Sequence, residues 1–297
     1  INRFAVLVDR STHVSFARAT VLGNSDGVGT GMRIINSRYV TVRDSLFDGN
    51  VDGITLLTSP DSLLVRNRFI NGQSDGMKIV DSQRIIASGN SCSGFVPLPL
   101  AHPDCIQFWS VVGKPLQSDI YVLNNSVIGA QQGFASFDPH TLSGTRFTFA
   151  GNYAAVTYVH AISCLGCTDS RFEDNVMSSL PNSPHRANFF APTGLGNSFS
   201  NNNIFDLRGM TGPVEQILPS RIWSSLVPSI AGLVGSQHDD REWRAQALLD
   251  LELELDSQSG GGTSPTPEPA TWVMLGVGFL FIGRSLRRRQ ALPVVLA

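Results

Sequence analysis

Gly76-Met77-Lys78-Ile79-Val80 and, after a loop, His102-Pro103-Asp104-Cys105-Ile106-Gln107-Phe108-Trp109 carry the phrase that decides the fold. The phrase is a polar turn, an alternating apolar run and a closing polar residue. It occurs as Asp52-Gly53-Ile54-Thr55-Leu56-Leu57, as Asp75-Gly76-Met77-Lys78-Ile79-Val80 and as Asp104-Cys105-Ile106-Gln107-Phe108-Trp109. Looser copies stand at Gln132-Gly133-Phe134, His160-Ala161-Ile162 and Arg186-Ala187-Asn188. The starts Ile54, Met77, Ile106, Phe134 and Ile162 are 23, 29, 28 and 28 residues apart. Self-similarity at such a period marks a solenoid, in which each unit buries its apolar face only when the next stacks on it.

Each period holds a second short strand: Val40–Asp44, Leu63–Asn67, Ile120–Asn125, Phe147–Asn152 and Arg171–Asn175. These runs are β-branched or aromatic and alternate, the period-2 signal of a half-buried strand. An Asn or Asp follows nearly every one: Asn24, Asp44, Asn67, Asn90, Asn125, Asn152, Asn175 and Asn202. A short amide tolerates a left-handed bend, and stacked amides at one corner can form a ladder. No helical periodicity separates the strands. About eight coils of a parallel β-helix are expected over residues 1–205. The chain has 297 residues, 28 of them Gly, and a net charge of −2, which argues against a nucleic-acid-binding surface. It begins at Ile1, already inside a strand-like run, so earlier coils or a signal peptide are expected upstream.

This phrasing, with Ser74-Asp75-Gly76-Met77 and Phe172-Glu173-Asp174-Asn175-Val176 as its clearest copies, resembles the right-handed parallel β-helix superfamily. That is the all-β fold of pectate lyases, polygalacturonases, alginate lyases and mannuronan C-5-epimerases. The resemblance implies a fold and does not choose a reaction. Residues 206–256 follow as an expected C-terminal cap, partly helical from Asp239 to Leu255, because a solenoid needs its open end covered. Residues 257–266 form a Gly/Ser/Pro linker.

Residues 267–289 contain Pro267-Glu268-Pro269, then a short apolar run, then a basic cluster of Arg284, Arg287, Arg288 and Arg289. The run is read as a transmembrane helix over 271–286, with Trp272 at one interface and the arginines cytoplasmic. It is shorter than the ~20 residues of a comfortable span. The segment resembles the PEP-CTERM sorting signal of Gram-negative bacteria. That resemblance implies processing by an exosortase and delivery to the envelope or exterior. The tail 290–297 is longer and more apolar than the usual ending.

The candidate chemistry sits at the turn before each first strand. Asp52, Asp75 and Asp104 occupy it in three successive coils. Coils lie ~4.8 Å apart, so these carboxylates could act as a glycosidase pair or hold a Ca²⁺. Asp-Gly is also ordinary turn chemistry. The loop Ser91–Pro103 lengthens the period and delivers His102 beside Asp104. Ile106 and Phe108 should point inward, leaving Gln107, Trp109 and, one coil later, Phe137 outward. Exposed aromatics beside polar groups are a way to grip sugar rings. An outward Lys78 could neutralise a uronate carboxylate, or abstract a proton if burial lowered its pKa. Asp138-Pro139-His140 resembles the Asp-Pro-His motif of mannuronan C-5-epimerases, which implies active-site roles for Asp138 and His140. It departs from that family at Ala135, where a Tyr is usual, and in its spacing from Gly133. Cys92 and Cys105 bracket the loop and suit a disulfide; Cys164 and Cys167 read as small core residues rather than a zinc site. The reading is an exported β-helix that acts on a polysaccharide as lyase, epimerase or glycosidase. Its rival is a non-catalytic carbohydrate-binding or structural surface protein.

Overall fold

The computed structural model describes residues 3–99, 101–111, 113–129, 132–136, 144–191 and 195–210. Among these residues the chain is all β, a parallel solenoid of about seven turns without a helix. Of the cap expected over residues 206–256 only 206–210 are described, Asp206 ending a strand, and the linker and transmembrane helix lie outside the described residues. Each turn contributes one strand to each of three parallel sheets. The first sheet stacks Phe4–Asp9, Thr30–Ile35, Asp52–Leu57, Met77–Val80, Asp104–Trp109, Gln132–Ser136, His160–Cys164 and Asn188–Phe190. The second includes Thr41–Arg43, Ser62–Val65, Ile85–Ser88, Gln117–Leu123 and Gly144–Ala150.

The third sheet was not legible in the repeat. Its strands are only three or four residues long, three at Leu46–Asp48, Arg68–Ile70 and Ser91–Ser93. They follow the asparagine bend directly, and three residues are too few to show an alternation. One inward residue per strand is enough to build the wall: Phe47, Phe69, Cys92, Val127, Ala154 and Met177 are all buried. The expected inward set of the first sheet is buried as well, through Ile54, Met77, Ile79, Ile106, Phe108, Phe134 and Ile162. In the second sheet Phe149, Phe172 and Phe199 stack with ring centroids 5.2 and 5.1 Å apart. That spacing is the coil repeat itself, so one side chain per coil gives a continuous column, buried at Phe149 and Phe172 and open to solvent at Phe199.

Asparagines 67, 90, 125, 152, 175 and 202 form the expected ladder at the bend between the second and third sheets. Each side-chain oxygen accepts the main-chain N–H of the asparagine one coil earlier, as from Asn67 at 3.0 Å and Asn90 at 2.9 Å. It also accepts that neighbour's Nδ2, as from Asn125 at 3.1 Å and Asn152 at 2.9 Å. Each Nδ2 then reaches a carbonyl one coil back, as Asn125 to Ala87 at 2.8 Å. A buried amide that meets all its partners this way can be repeated without cost. Two of the expected members stand elsewhere. Asp44 precedes the ladder position, which Ser45 takes, and pairs with Arg43 and Arg66. Asn24 lies beyond the third strand Thr20–Leu22 and bonds Asp26. The left-handed residue is also not the asparagine but the one before it: Asp44, Arg66, Asn124, Asp174 and Asn201 all have φ between 49° and 53°. A shorter serine ladder, Ser11–Ser37–Ser59–Ser82, caps the bend between the first and second sheets in the same way, N–H to Oγ at 3.0–3.1 Å.

Candidate functional site

The strict alternation of the first sheet breaks at its entry. Gly53 and Ile54, Gly76 and Met77, and Cys105 and Ile106 are adjacent pairs that all point inward. A Cβ on Gly53 would strike Phe69, and one on Gly76 would strike the Cys105 carbonyl. In the coil where Cys replaces Gly, the column facing it has changed from Phe69 to Cys92. Cys92 and Cys105 are bonded, with Cα atoms 5.7 Å apart, so the disulfide fills space that an aromatic ring takes one coil earlier. The expected staple across the inserted loop is thus present, and it anchors the residue next to Asp104. Cys164 and Cys167 are both buried, as expected of core residues, and are bonded to each other.

Because two consecutive residues turn inward, the side chains three apart around them share the outer face. Asp75 therefore meets Lys78, and Asp104 meets Gln107. Asp52, Asp75 and Asp104 follow one another in register. Each carboxylate caps the next acid's main chain: Asp75 N–H donates to Asp52 Oδ1 at 3.3 Å, and Asp104 N–H to Asp75 Oδ1 at 2.7 Å. Lys78 Nζ lies between two of them, 2.9 Å from Asp52 and 3.2 Å from Asp75. Gln107 Nε2 donates to Asp104 Oδ2 at 3.1 Å, while Asp104 Oδ1 is buried without a partner.

The electrostatics follow from burial. Asp75 and Asp104 are 4% and 1% exposed. Burial first, then the charge of Asp75, pushes Asp104 well above the usual carboxylate range. Burial also raises Asp75, against the opposing charge of Lys78. For Lys78 burial alone would lower the pKa, but Asp75 and Asp52 outweigh it and hold it above the ordinary lysine value. The proton-abstraction role considered for Lys78 required the opposite shift. Lys78 stands between Asp52 and Asp75 as the ion-pair partner of both. Among the described residues no group of three or more His, Cys, Asp or Glu is arranged to hold a metal.

The other candidates divide. Trp109 is outward and 54% exposed, and Gln107 is partly exposed. His102 is exposed and joins the site through its main chain, whose carbonyl accepts from Gln132 Nε2 at 3.3 Å. Gln132 continues the acid column one coil on, pairing with Asp104, and its N–H donates to the Pro103 carbonyl at 2.6 Å. Tyr158 Oη donates to the Ala101 carbonyl at 3.2 Å, so a second loop braces the inserted one. Neither Gln132 nor Tyr158 was singled out from sequence. Gln132 occupies the position of the three acids in its own copy of the phrase, and that was the available signal. Phe137, Asp138 and His140 lie outside the described residues, as do Pro267, Glu268, Pro269, Arg287, Arg288 and Arg289.

A three-sheet parallel stack with acids and an aromatic on one outer face defines the class as a parallel β-helix protein. The chain belongs to the right-handed β-helix family: the model for the right handed beta helix region matches residues 4–175, more than half of its length. A second family model, the PEP-CTERM protein-sorting motif, matches residues 265–289. That motif implies recognition by an exosortase, with export and sorting to the cell envelope of a Gram-negative bacterium. No curated protein matches the chain.

Proposed function

We propose that this is a surface-sorted β-helix whose first-sheet face binds polysaccharide without cleaving it. The observation that carries the reading is the contrast at the centre of that face. Trp109 and Gln107 are presented to solvent, while Asp75, Asp104 and Lys78 beside them are buried, paired or spent on main-chain N–H groups. An indole face next to an amide suits a sugar ring, with apolar contact on one side and hydrogen bonds on the other. Export places the domain where polysaccharide is found.

Affinity electrophoresis of the exported chain in alginate, pectate and the cell's own exopolysaccharide tests the proposal, with Trp109→Ala alongside. Retardation by at least one polymer, lost in Trp109→Ala and without new reducing ends or unsaturated ends, is expected. Equal mobility of the two proteins in every polymer would remove the proposal. A second reading, in which the chain acts on its polysaccharide, is favoured by Asp104. Burial and the charge of Asp75 raise its carboxyl, and an upward shift is the direction a general acid requires. Product formation abolished by Asp104→Asn would replace the first reading with the second.

A further inference from the structure

The outward side chains of the first sheet do not all see solvent. Its middle outward column runs in register from Leu7 through Thr55, Lys78 and Gln107 to Ala135 and Ser163. Leu7 is 46% exposed, and Thr55, Lys78 and Gln107 are partly exposed. Ala135 and Ser163, the next two outward residues, are both 0% exposed. Whole strands show the same change. Asp52–Leu57 and Asp104–Trp109 leave outward side chains in solvent, whereas Gln132–Ser136 is buried along its whole length and His160–Cys164 beyond its first residue. Side-chain size does not account for it, because a short side chain on an open sheet face shields its own strand least. Ser163 Oγ is also cut off from solvent and has no hydrogen-bond partner. The outer face is therefore covered at these two coils. The bends that enter the sheet are tied together at the same height: Tyr158 Oη donates to the Ala101 carbonyl at 3.2 Å, and Ser183 Oγ to the Thr157 carbonyl at 2.8 Å. Gln107 and Trp109 stand on the last open coil before the cover.

We infer that the polysaccharide face is a blind groove that holds one end of a polymer. The terminal sugar lies on Trp109 and Gln107, and the rest of the chain runs over Lys78 and Thr55 toward Leu7. A polymer passing through in the other direction would have to lie on Ala135 and Ser163, which nothing from outside reaches. On the open side the path from Gln107 to Thr55 is two coils, about 10 Å at ~4.8 Å per coil. The groove then selects by chain end: a long polymer offers no more places to bind than a short one with the same ends. The inference rests on the Trp109 face being the polysaccharide surface.

The test uses the exported chain with alginate, pectate and the cell's own exopolysaccharide, each cut by partial acid hydrolysis into short, intermediate and long fractions. Reducing and non-reducing ends are counted chemically, and titration calorimetry reads the protein bound. The ratio of bound protein to one kind of end should stay constant from short to long fractions. A ratio that rises with length would overturn the inference and leave the Trp109 reading in place, because internal stretches would then bind as ends do. Thr55→Trp puts bulk in the path two coils from Gln107. It should weaken binding of the intermediate and long fractions and spare the shortest. Long fractions bound by Thr55→Trp as by wild type would overturn the path and the inference with it. Trp109→Ala should lose binding to every fraction. If wild type binds no fraction of any polymer, or Trp109→Ala binds like wild type, the Trp109 reading fails and the blind groove with it. Thr55 is partly exposed, so Thr55→Trp should keep the circular dichroism of wild type. Should that variant not fold, the count of ends still decides.

Discussion

Asn125→Ala is the sharpest test of what holds the coils together. The Asn125 side chain is buried in the middle of the ladder. Its oxygen accepts the Asn90 N–H at 2.9 Å and the Asn90 Nδ2 at 3.0 Å. Its Nδ2 donates to the Ala87 carbonyl at 2.8 Å and to Asn152 Oδ1 at 3.1 Å. Truncation removes these four bonds at once and leaves the Asn90 N–H buried and unmet. At about 1 kcal/mol net per bond the loss is about 4 kcal/mol, and the orphaned N–H adds to it. For a domain of this size each kcal/mol moves the thermal midpoint by about 2–4 °C, so a fall of about 8–16 °C is expected. Asn202→Ala is the control. Asn202 is only half-buried, at the last rung of the ladder in the described residues, and accepts from Asn175 N–H at 3.2 Å and Asn175 Nδ2 at 2.8 Å. Water can replace part of what it loses, so its midpoint should fall by clearly less. Scanning calorimetry reads both. An Asn125→Ala midpoint within about 2 °C of wild type, or equal losses in the two variants, would mean that stacked apolar columns hold the coils and the amides are incidental.

The acid column makes a prediction with a definite sign. Asp104 is raised in the folded state, so its native form binds the proton more tightly than the unfolded chain does. Its contribution is full below the unfolded value of about 3.9 and is lost as pH rises from there through the folded value. The difference in thermal midpoint between wild type and Asp104→Asn should therefore shrink or reverse as pH is raised; a difference constant with pH would refute the shift. Lys78→Met should cost about 3 kcal/mol in urea unfolding, because it strands the buried Asp75 and the half-buried Asp52 without their cation. A stability equal to wild type would show that the pairs at 2.9 and 3.2 Å contribute nothing net. At the other end of the chain, changing Pro267-Glu268-Pro269 to alanines should leave precursor in the membrane fraction of cells that process the wild type. Normal release of the variant, followed by immunoblotting, would contradict the sorting role.

The inward positions were readable because each depends on one rule applied along the chain. A strand with one buried face alternates, and the copies at Ile54, Met77 and Ile106 repeat that alternation at a coil's length. The sorting motif was readable for a similar reason, since Pro267-Glu268-Pro269 followed by an apolar run and arginines is a linear signal. The asparagine ladder was half readable. Amides at a fixed place after a strand announce a column, but Asp44 and Asn24 fit the same local pattern and are left out of it. Which residue joins depends on the register between residues 22 to 38 apart in sequence, as Ser45 on Asn67 and Ala87 on Asn125 show. The acid site was readable as a list of residues and not as chemistry. That Lys78 sits between Asp52 and Asp75 and that Asp104 is sealed with one oxygen unmet are facts about neighbouring coils. Sequence by itself determined which side chains could stack. The stacking decided which charges are matched, because electrostatic partners in a solenoid come from the coil above or below, and the loop lengths between coils set who those partners are.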